Sequence, residues 1–489
     1  MAPPRFKVLN DETNLVGVSM SMYQSKTASV PIQGFNLGYK KPQFKTSIDK
    51  RPLLYPLLIS FVHALRGYSA FNGFIVNFIC GIFALFVLYL FVYEHFPRIY
   101  ALLSILILAS LPNFVMWVTS SGFETLNLFF IIFTIFLFNR VIVTRNIQQA
   151  ELLFLTLVLV SQCRYESVVY TIAIIFLLPM LLRKEAISQW SPISFISPAL
   201  FIPIIWLYRL YAEVPVVNKM AANVAPVPNL FEAFKFSNLI SNTPPNLLVF
   251  LGLDPHLGFS WFISAMSIAG IYLITKRLIV DYRSEGVHLR TMWLFGVATF
   301  ILLYVVQVSF YLGNMTIYTQ NRFAMVYLPY MVLPAIYFAY VVFKKTKNTV
   351  KVFVVIFFVL HLIYFWPYGS QQLLVNSGAL QYEYKKTLTY IKDHFKNSSD
   401  ILVISERPYL FTVHYSGAVD FNYANQNTEI ILDLGRKDFD HILVIQKCLY
   451  KTRAPLSSSR LSSTYHLVQL GKLNLTRFEY LRISEISKW

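Results

Sequence analysis

Two adjacent carboxylates, Asp11 and Glu12, stand in the stretch Val8-Leu9-Asn10-Asp11-Glu12-Thr13-Asn14-Leu15, ahead of a long series of apolar runs. Such a pair either caps a helix or takes a proton from a hydroxyl that attacks another group. Four other places set charge among apolar sequence: Lys50-Arg51, Glu124, Arg164 with Glu166, and Arg322. Inside a bilayer a charged side chain costs about 2.5–3.5 kcal/mol to insert, so it faces a protein interior and has a partner or a task. Arg and Lys hold an anionic phosphate, and a carboxylate nearby accepts the proton of an incoming hydroxyl. Preplaced cations then stabilise the charge that builds on a departing phosphate. Transfer from a phosphate-linked donor is the chemistry this mixture fits. Each group also has a plainer reading, as an interfacial anchor, a helix cap or an Arg164–Glu166 pair satisfying itself.

The elements that position these groups are read from composition and periodicity. Of 489 residues, 56% are hydrophobic and only 13% charged, against about 25% charged in a soluble domain. That deficit marks a polytopic helical membrane protein. The net charge of +18 is not arranged as a basic stripe with interleaved aromatics, so no nucleic-acid partner is expected. Residues 51–68 are apolar on one side with charges and aromatics at both ends, the pattern of an interfacial helix. Apolar runs follow at 72–93, 99–118, 123–143, 151–163, 167–182, 192–211, 259–275, 292–312, 323–343 and 352–368, which predicts about ten spans. One alternate set of connections holds thirteen Lys and Arg, and the opposite set holds four: Arg164, Lys219, Lys235 and Arg322. The first set is therefore expected on the cytoplasmic side. By the same count Asp11-Glu12, Lys50-Arg51, Glu124, Arg164 and Arg322 gather at the outer face. An outer N-terminus with no apolar leader in residues 1–50 leads to the expectation of one further span upstream of Met1.

Residues 1–50 read as polar loop, with Gly34, Gly38 and Pro42 as breakers, and 212–258 as a long Asn- and Pro-rich loop. Beyond 368 the pattern changes. A helix is predicted at 383–396, buried strands at 401–404, 430–432 and 442–445, and a hairpin from 465–470 with 473–483. The domains are thus an extracytoplasmic 1–71 segment, a transmembrane domain at 72–368 and a small extracytoplasmic α/β domain at 369–489. The three cysteines, Cys80, Cys163 and Cys448, give neither a disulfide framework nor a zinc spacing.

In order and spacing these groups resemble the GT-C superfamily of polyprenyl-phosphate-dependent glycosyltransferases, nearest to the protein mannosyltransferase and lipid A aminoarabinose transferase group. The resemblance covers residues 8–345. It rests on the acidic pair Asp11-Glu12, on Lys50-Arg51-Pro52-Leu53-Leu54-Tyr55-Pro56, and on Ser121-Gly122-Phe123-Glu124 at the head of a span. It also rests on Arg164-Tyr165-Glu166-Ser167 between two short helices, and on Arg322-Phe323 with Pro329 and Pro334. One proline of the family's Pro-Pro-Leu-Tyr-Pro run is replaced, the Arg-Pro-Glu-Gly turn lacks its Pro and Gly, and the family's first span is missing.

The resemblance implies a GT-C-like helical fold and an inverting transferase in which Asp11 is the general base. Glu12 and Glu124 orient the acceptor or the base. Arg51 or Lys50, with Arg164 and Arg322, binds the lipid phosphate, and Glu166 positions Arg164. The implied partners are a polyprenyl-phosphate sugar, membrane lipids and a glycan, lipid or protein acceptor, with the site on the periplasmic side of a bacterial inner membrane. A divalent metal is an open question, since the histidines are scattered and no His cluster or Asp-x-Asp motif demands one. A transporter or flippase of lipid-linked saccharides, or a polymerase or ligase using the same donors, is the alternative.

Overall fold

The computed structural model describes residues 4–37, 43–181, 197–198, 201, 203, 207, 234–253, 260–280, 287–345, 348–365, 379–395, 400–414, 417–475 and 478–487. The chain divides into two compact units. One holds residues 1–5, 50–55 and 74–376, and the other holds residues 6–49, 56–73 and 377–489.

The first unit is helical. Its described helices are α3 (Asn72–His95), α4 (Arg98–Ser110), α5 (Pro112–Val118), α6 (Glu124–Thr144), α7 (Ile147–Ser161) and α8 (Val168–Leu181). After them come α9 (Phe236–Leu251), α10 (Trp261–Val280), α11 (Val287–Ser309), α12 (Leu328–Lys345) and α13 (Asn348–Leu360). Among the described residues, five helices are long and apolar enough to cross a membrane, or six if α4 and α5 form one bent span. The expected span at 99–118 is not straight: its halves meet at 72°. Leu111 is extended there because Pro112 disfavours the helical conformation of the residue before it. The runs expected at 151–163, 167–182 and 352–368 form the short helices α7, α8 and α13, the last ending in a π turn at His361–Phe365. The run at 192–211 lies largely outside the described residues, as do much of 212–258 and Lys219. Within that expected loop, α9 occupies Phe236–Leu251 despite Pro244 and Pro245.

The second unit is built on a seven-stranded sheet. Its strands are β1 (Ser29–Phe35), β2 (Gln43–Ile48), β3 (Ile401–Ile404), β4 (Gly417–Val419), β5 (His441–Leu449), β6 (Leu467–Asn474) and β7 (Glu479–Ile486). Their spatial order is β2-β1-β4-β3-β5-β7-β6. Only the β4-β3-β5 centre is parallel. Alternation along β3 and β5 feeds two cores: Leu402, Ile404, Ile442 and Val444 point to one, and Ile401, Val403, Leu443 and Ile445 to the other. Helices α15 (Phe421–Gln426) and α16 (Thr428–Lys437) cover the first face through Phe421, Ala424, Ile431 and Leu434. Helices α1 (Leu9–Gln24) and α14 (Ala379–His394) add Leu9, Tyr384 and Ile391 to the second.

Two expectations are corrected here. Residues 1–50 are not loop: α1, β1 and β2 fill most of them, and β1 pairs with β4 through Gly34↔Ala418 and Phe35↔Gly417. Gly34 has φ +133°, and a Cβ there would lie 1.9 Å from the Gln43 carbonyl oxygen, so glycine serves a strand position rather than a loop. The triplet Ile430-Ile431-Leu432 is helical, within α16, with Ile431 buried and Ile430 exposed. Helix α2 (Leu54–Arg66) falls within the run expected to be interfacial. It buries Tyr55, Ile59 and His63 and exposes Leu57, Phe61 and Leu65, two stripes each of i, i+4 spacing.

Candidate active site

In the helical unit, two of the expected arginines converge on one expected carboxylate. Glu124 is the first residue of α6, where the helix dipole favours an anion, and its side chain is 2% exposed. Its Oε1 lies 3.3 Å from Arg164 Nη1 and 3.5 Å from Arg322 Nη1. The second carboxylate, Glu166, takes Arg164 Nε at 2.6 Å. The resulting row, Arg322–Glu124–Arg164–Glu166, is buried except at its Glu166 end, which is partly exposed, and pairs each charge with an opposite one, as burial requires. Aromatic faces set the planes of the guanidinium groups. Phe323 lies 4.6 Å from Arg164 Cζ and 5.4 Å from Arg322 Cζ, and Phe123 lies 5.0 Å from Arg164 Cζ.

The local backbone explains why these residues point inward. Arg164 is extended (φ −150°, ψ 142°) at the break between α7 and a single 3-10 turn, Tyr165–Ser167. That turn is closed without the Pro and Gly of the resembling family: the Ser167 N–H donates to the Arg164 carbonyl at 3.1 Å. The Ser167 hydroxyl donates to Asn127 Oδ1 on α6 at 2.7 Å, fastening the turn to the helix that bears Glu124. Arg322 lies in a 3-10 segment, Asn321–Tyr327. Asn113 on α5 holds that segment by donating to the Asn321 carbonyl at 3.2 Å. Asn77 on α3 donates to the carbonyls of Ser120 (2.8 Å) and Gly122 (2.7 Å), anchoring the loop before Glu124. A Cβ on Gly122 would lie 2.1 Å from Glu124 Oε2. The Ser-Gly-x-Glu pattern is therefore steric: the glycine makes room for the carboxylate.

Lys50 and Arg51 belong to the same unit. The Tyr165 hydroxyl donates to the Lys50 carbonyl, which sets this basic pair beside the Arg164–Glu166 turn. Asp11 and Glu12 lie on α1 in the other unit. Glu12 is 1% exposed, and its Oε1 accepts the backbone N–H groups of Lys7 and Val8, each at 3.0 Å. It closes the first turn of α1, while Asp11 is only half-buried.

Gln307 on α11 was not read from the sequence. Its Nε2 donates to Glu166 Oε1 at 3.2 Å, so it backs the carboxylate that backs Arg164. A lone amide in the apolar run Ile301–Ser309 was the available signal. Asn77, Asn113 and Asn127 are also buried amides of apolar segments, and all of them bind the loops that carry the charges. As for a metal, among the described residues no three His, Cys, Asp or Glu come together. Both carboxylates of the row are engaged by guanidinium groups, which a divalent ion would have to displace. The row does not fit a metal.

Comparison with known proteins follows this geometry. Residues 50–208 match the sequence profile of the family described as dolichyl-phosphate-mannose-protein mannosyltransferase. That range holds Lys50, Arg51, Glu124, Arg164 and Glu166. No curated protein sequence matches. Among solved structures, ArnT from Cupriavidus metallidurans bound to undecaprenyl phosphate superposes with a TM-score of 0.51, over 98% of this chain and 94% of that one, at 9% identity. The chain has the GT-C fold. A second GT-C structure, the oligosaccharyltransferase AglB from Archaeoglobus fulgidus with an inhibitory peptide and a dolichol-phosphate, gives 0.51 over 91% of this chain and 66% of that one, at 10% identity. At such identities what is shared is the fold, that of polytopic membrane proteins.

Proposed function

We propose that the protein is an inverting glycosyltransferase that moves a sugar from a polyprenyl-phosphate donor to a lipid, glycan or protein acceptor. The reading places the reaction at the extracytoplasmic face of a bacterial inner membrane, with ten spans between the 1–71 and 369–489 segments. The observation that carries it is the buried Arg322–Glu124–Arg164–Glu166 row within a GT-C fold.

The roles follow from electrostatics. The acceptor hydroxyl attacks the anomeric carbon opposite the phosphate and loses its proton to Asp11. The bond from that carbon to the phosphate oxygen breaks, and its electron pair stays on the phosphate. The transition state has oxocarbenium character, as in glycoside hydrolysis. Arg322, Arg164 and the Lys50-Arg51 pair hold the phosphate and meet its growing charge. Glu124 touches both arginines, so its role is to fix their spacing rather than to meet the acceptor. Glu166 and Gln307 position Arg164 in turn. Glu12, with Oε1 occupied by two backbone donors, shapes the turn that presents Asp11.

The test uses purified protein in detergent with a labelled undecaprenyl-phosphate sugar. Turnover without any membrane compartment excludes a pure transporter. Asp11→Asn is expected to abolish transfer at unchanged yield of folded protein, and retained transfer would remove Asp11 from the mechanism. Glu12→Ala is expected to behave differently, losing about 1–2 kcal/mol of stability with the cap while the surviving protein remains active.

A further inference from the structure

The parallel centre of the sheet is wound in both directions. From β3 the chain reaches β4 through the 3-10 turn Pro408–Leu410, and Leu410 packs on the second face. From β4 it reaches β5 through α15 and α16, which cover the first face. The two crossovers therefore lie on opposite faces, and the winding reverses between β3 and β5, neighbours in the order β4-β3-β5. In open α/β sheets, ligands bind in the crevice beyond the carboxyl ends of the strands at such a reversal.

A small cavity lies at this point. Ile404 ends β3 opposite Val444 of β5. Just beyond that register Ser405, Glu406 and Arg407, with Lys447 of β5 and Glu383 of α14, line a space of about 30 Å³, room for roughly two water molecules. Charges of both signs meet there. Burial raises the Glu383 carboxyl above its usual range, and Lys447 and Arg407 pull it back. Lys447 Nζ is held by Glu479 Oε2 at 2.9 Å, and Glu406 Oε1 accepts the Ser458 hydroxyl. Among the described residues the Glu383 carboxylate accepts no hydrogen bond and the Arg407 guanidinium donates none.

The lining selects the chemistry of an occupant. An anion would meet Glu383 and Glu406, a metal ion would meet Lys447 and Arg407, and an apolar group would leave a half-buried carboxylate unpaired. A hydroxyl donates and accepts at once, so it serves a carboxylate and a guanidinium together. We propose that the crevice is a saccharide subsite, into which two vicinal hydroxyls of one sugar ring enter, donating to Glu383 and accepting from Arg407. The ring itself stays at the lip, where Glu406 and Arg407 are exposed. This site belongs to the sheet-bearing unit and the charged row to the helical one, so the proposal does not depend on sugar transfer.

The full chain, purified in a detergent without a sugar headgroup, is titrated with the methyl glycosides of glucose, galactose and mannose and followed by saturation-transfer NMR. At least one glycoside is expected to bind with a millimolar Kd and to take up most saturation at two adjacent ring positions. Glu383→Gln and Arg407→Ala should each weaken that binding about tenfold, because hydrogen bonds to charged groups are about twice as strong as neutral ones. Neither side chain is fully buried, so both variants should melt close to the parent. Asp11→Asn should leave the saturation intact, which separates this site from the place of transfer. Absence of saturation with all three glycosides, or full binding in Glu383→Gln and Arg407→Ala, would overturn the proposal. So would displacement of the bound glycoside by glycine, whose ammonium and carboxylate would show a zwitterion site instead.

Discussion

Gly122 shows how tightly one position constrains the charged row. An added methyl would fall 2.1 Å from Glu124 Oε2, and that carboxylate cannot swing away without leaving Arg164 and Arg322. Gly122→Ala is therefore expected to cost about 1–3 kcal/mol from overpacking. It should also lower transfer about 100-fold, as a misplacement near 1 Å does. Thermal melting and turnover of the purified variant check both effects, and unchanged turnover would mean that the row tolerates a displaced Glu124. The charges of this row were legible in the sequence because each interrupts an apolar run. Gln307 and the anchoring asparagines were not, since an uncharged amide blends into a span even though it too must find a hydrogen-bond partner.

Among elements, α1 was hidden for a related reason. It buries Leu15, Val16 and Val18 together with Thr13, Ser19 and Ser21, so no apolar stripe marks it. Its hydroxyls are satisfied locally, as when Ser19 donates to the Val16 carbonyl at 2.7 Å. The same Ser19 oxygen lies 3.0 Å from His63 Nε2 on α2, and Asn72 Nδ2 lies 2.8 Å from His63 Nδ1. Since that amide also donates to the Gly67 carbonyl at 3.0 Å, Nδ1 accepts and Nε2–H donates to Ser19. The ring is a neutral clasp between α1 and α2. Burial pushes both His63 and His414 down to about 4 from 6.5. The unfolded chain therefore binds these protons more readily, and their contribution to stability, complete above pH 6.5, is lost as pH falls towards 4. The melting temperature should drop across that window, and His63→Gln with His414→Gln should flatten the slope. A parent curve that is level from pH 6.5 to 4 would remove the clasp from the account. Residues 430–432 show the opposite error: three apolar residues in a row look like a strand. The following Asp433-Leu434-Gly435-Arg436-Lys437 supplies the helical alternation that buries Ile431 and Leu434.

For the whole molecule, the pairing of β1 with β4 restricts how the chain crosses a membrane. Strands of one sheet share one side, so the number of complete crossings between β2 and β3 is even. Ten spans satisfy this, as do six; five do not. Cysteines introduced as Lys45→Cys in β2 and Arg436→Cys in α16 should react with a membrane-impermeant maleimide from the same side of sealed vesicles. Labelling from opposite sides would contradict the shared sheet. The helical class, the approximate places of the apolar runs and the C-terminal α/β character were legible in composition and periodicity. The membership of residues 29–35 and 43–48 in that sheet was not, because a strand that completes another segment's sheet has no local signature of its partner.

The join between β1 and β4 also sets an order of events during synthesis. The Gln33 side chain accepts the Asp420 N–H at 3.0 Å across 387 residues. At about 5–20 residues per second, the β1–β2 hairpin waits roughly 20–80 s for its neighbour. Throughout that time β1 presents an unpaired strand edge, the kind that invites pairing with another chain. The newborn protein thus passes through a vulnerable interval fixed by chain length, and a chaperone that covers extended segments would have its task there.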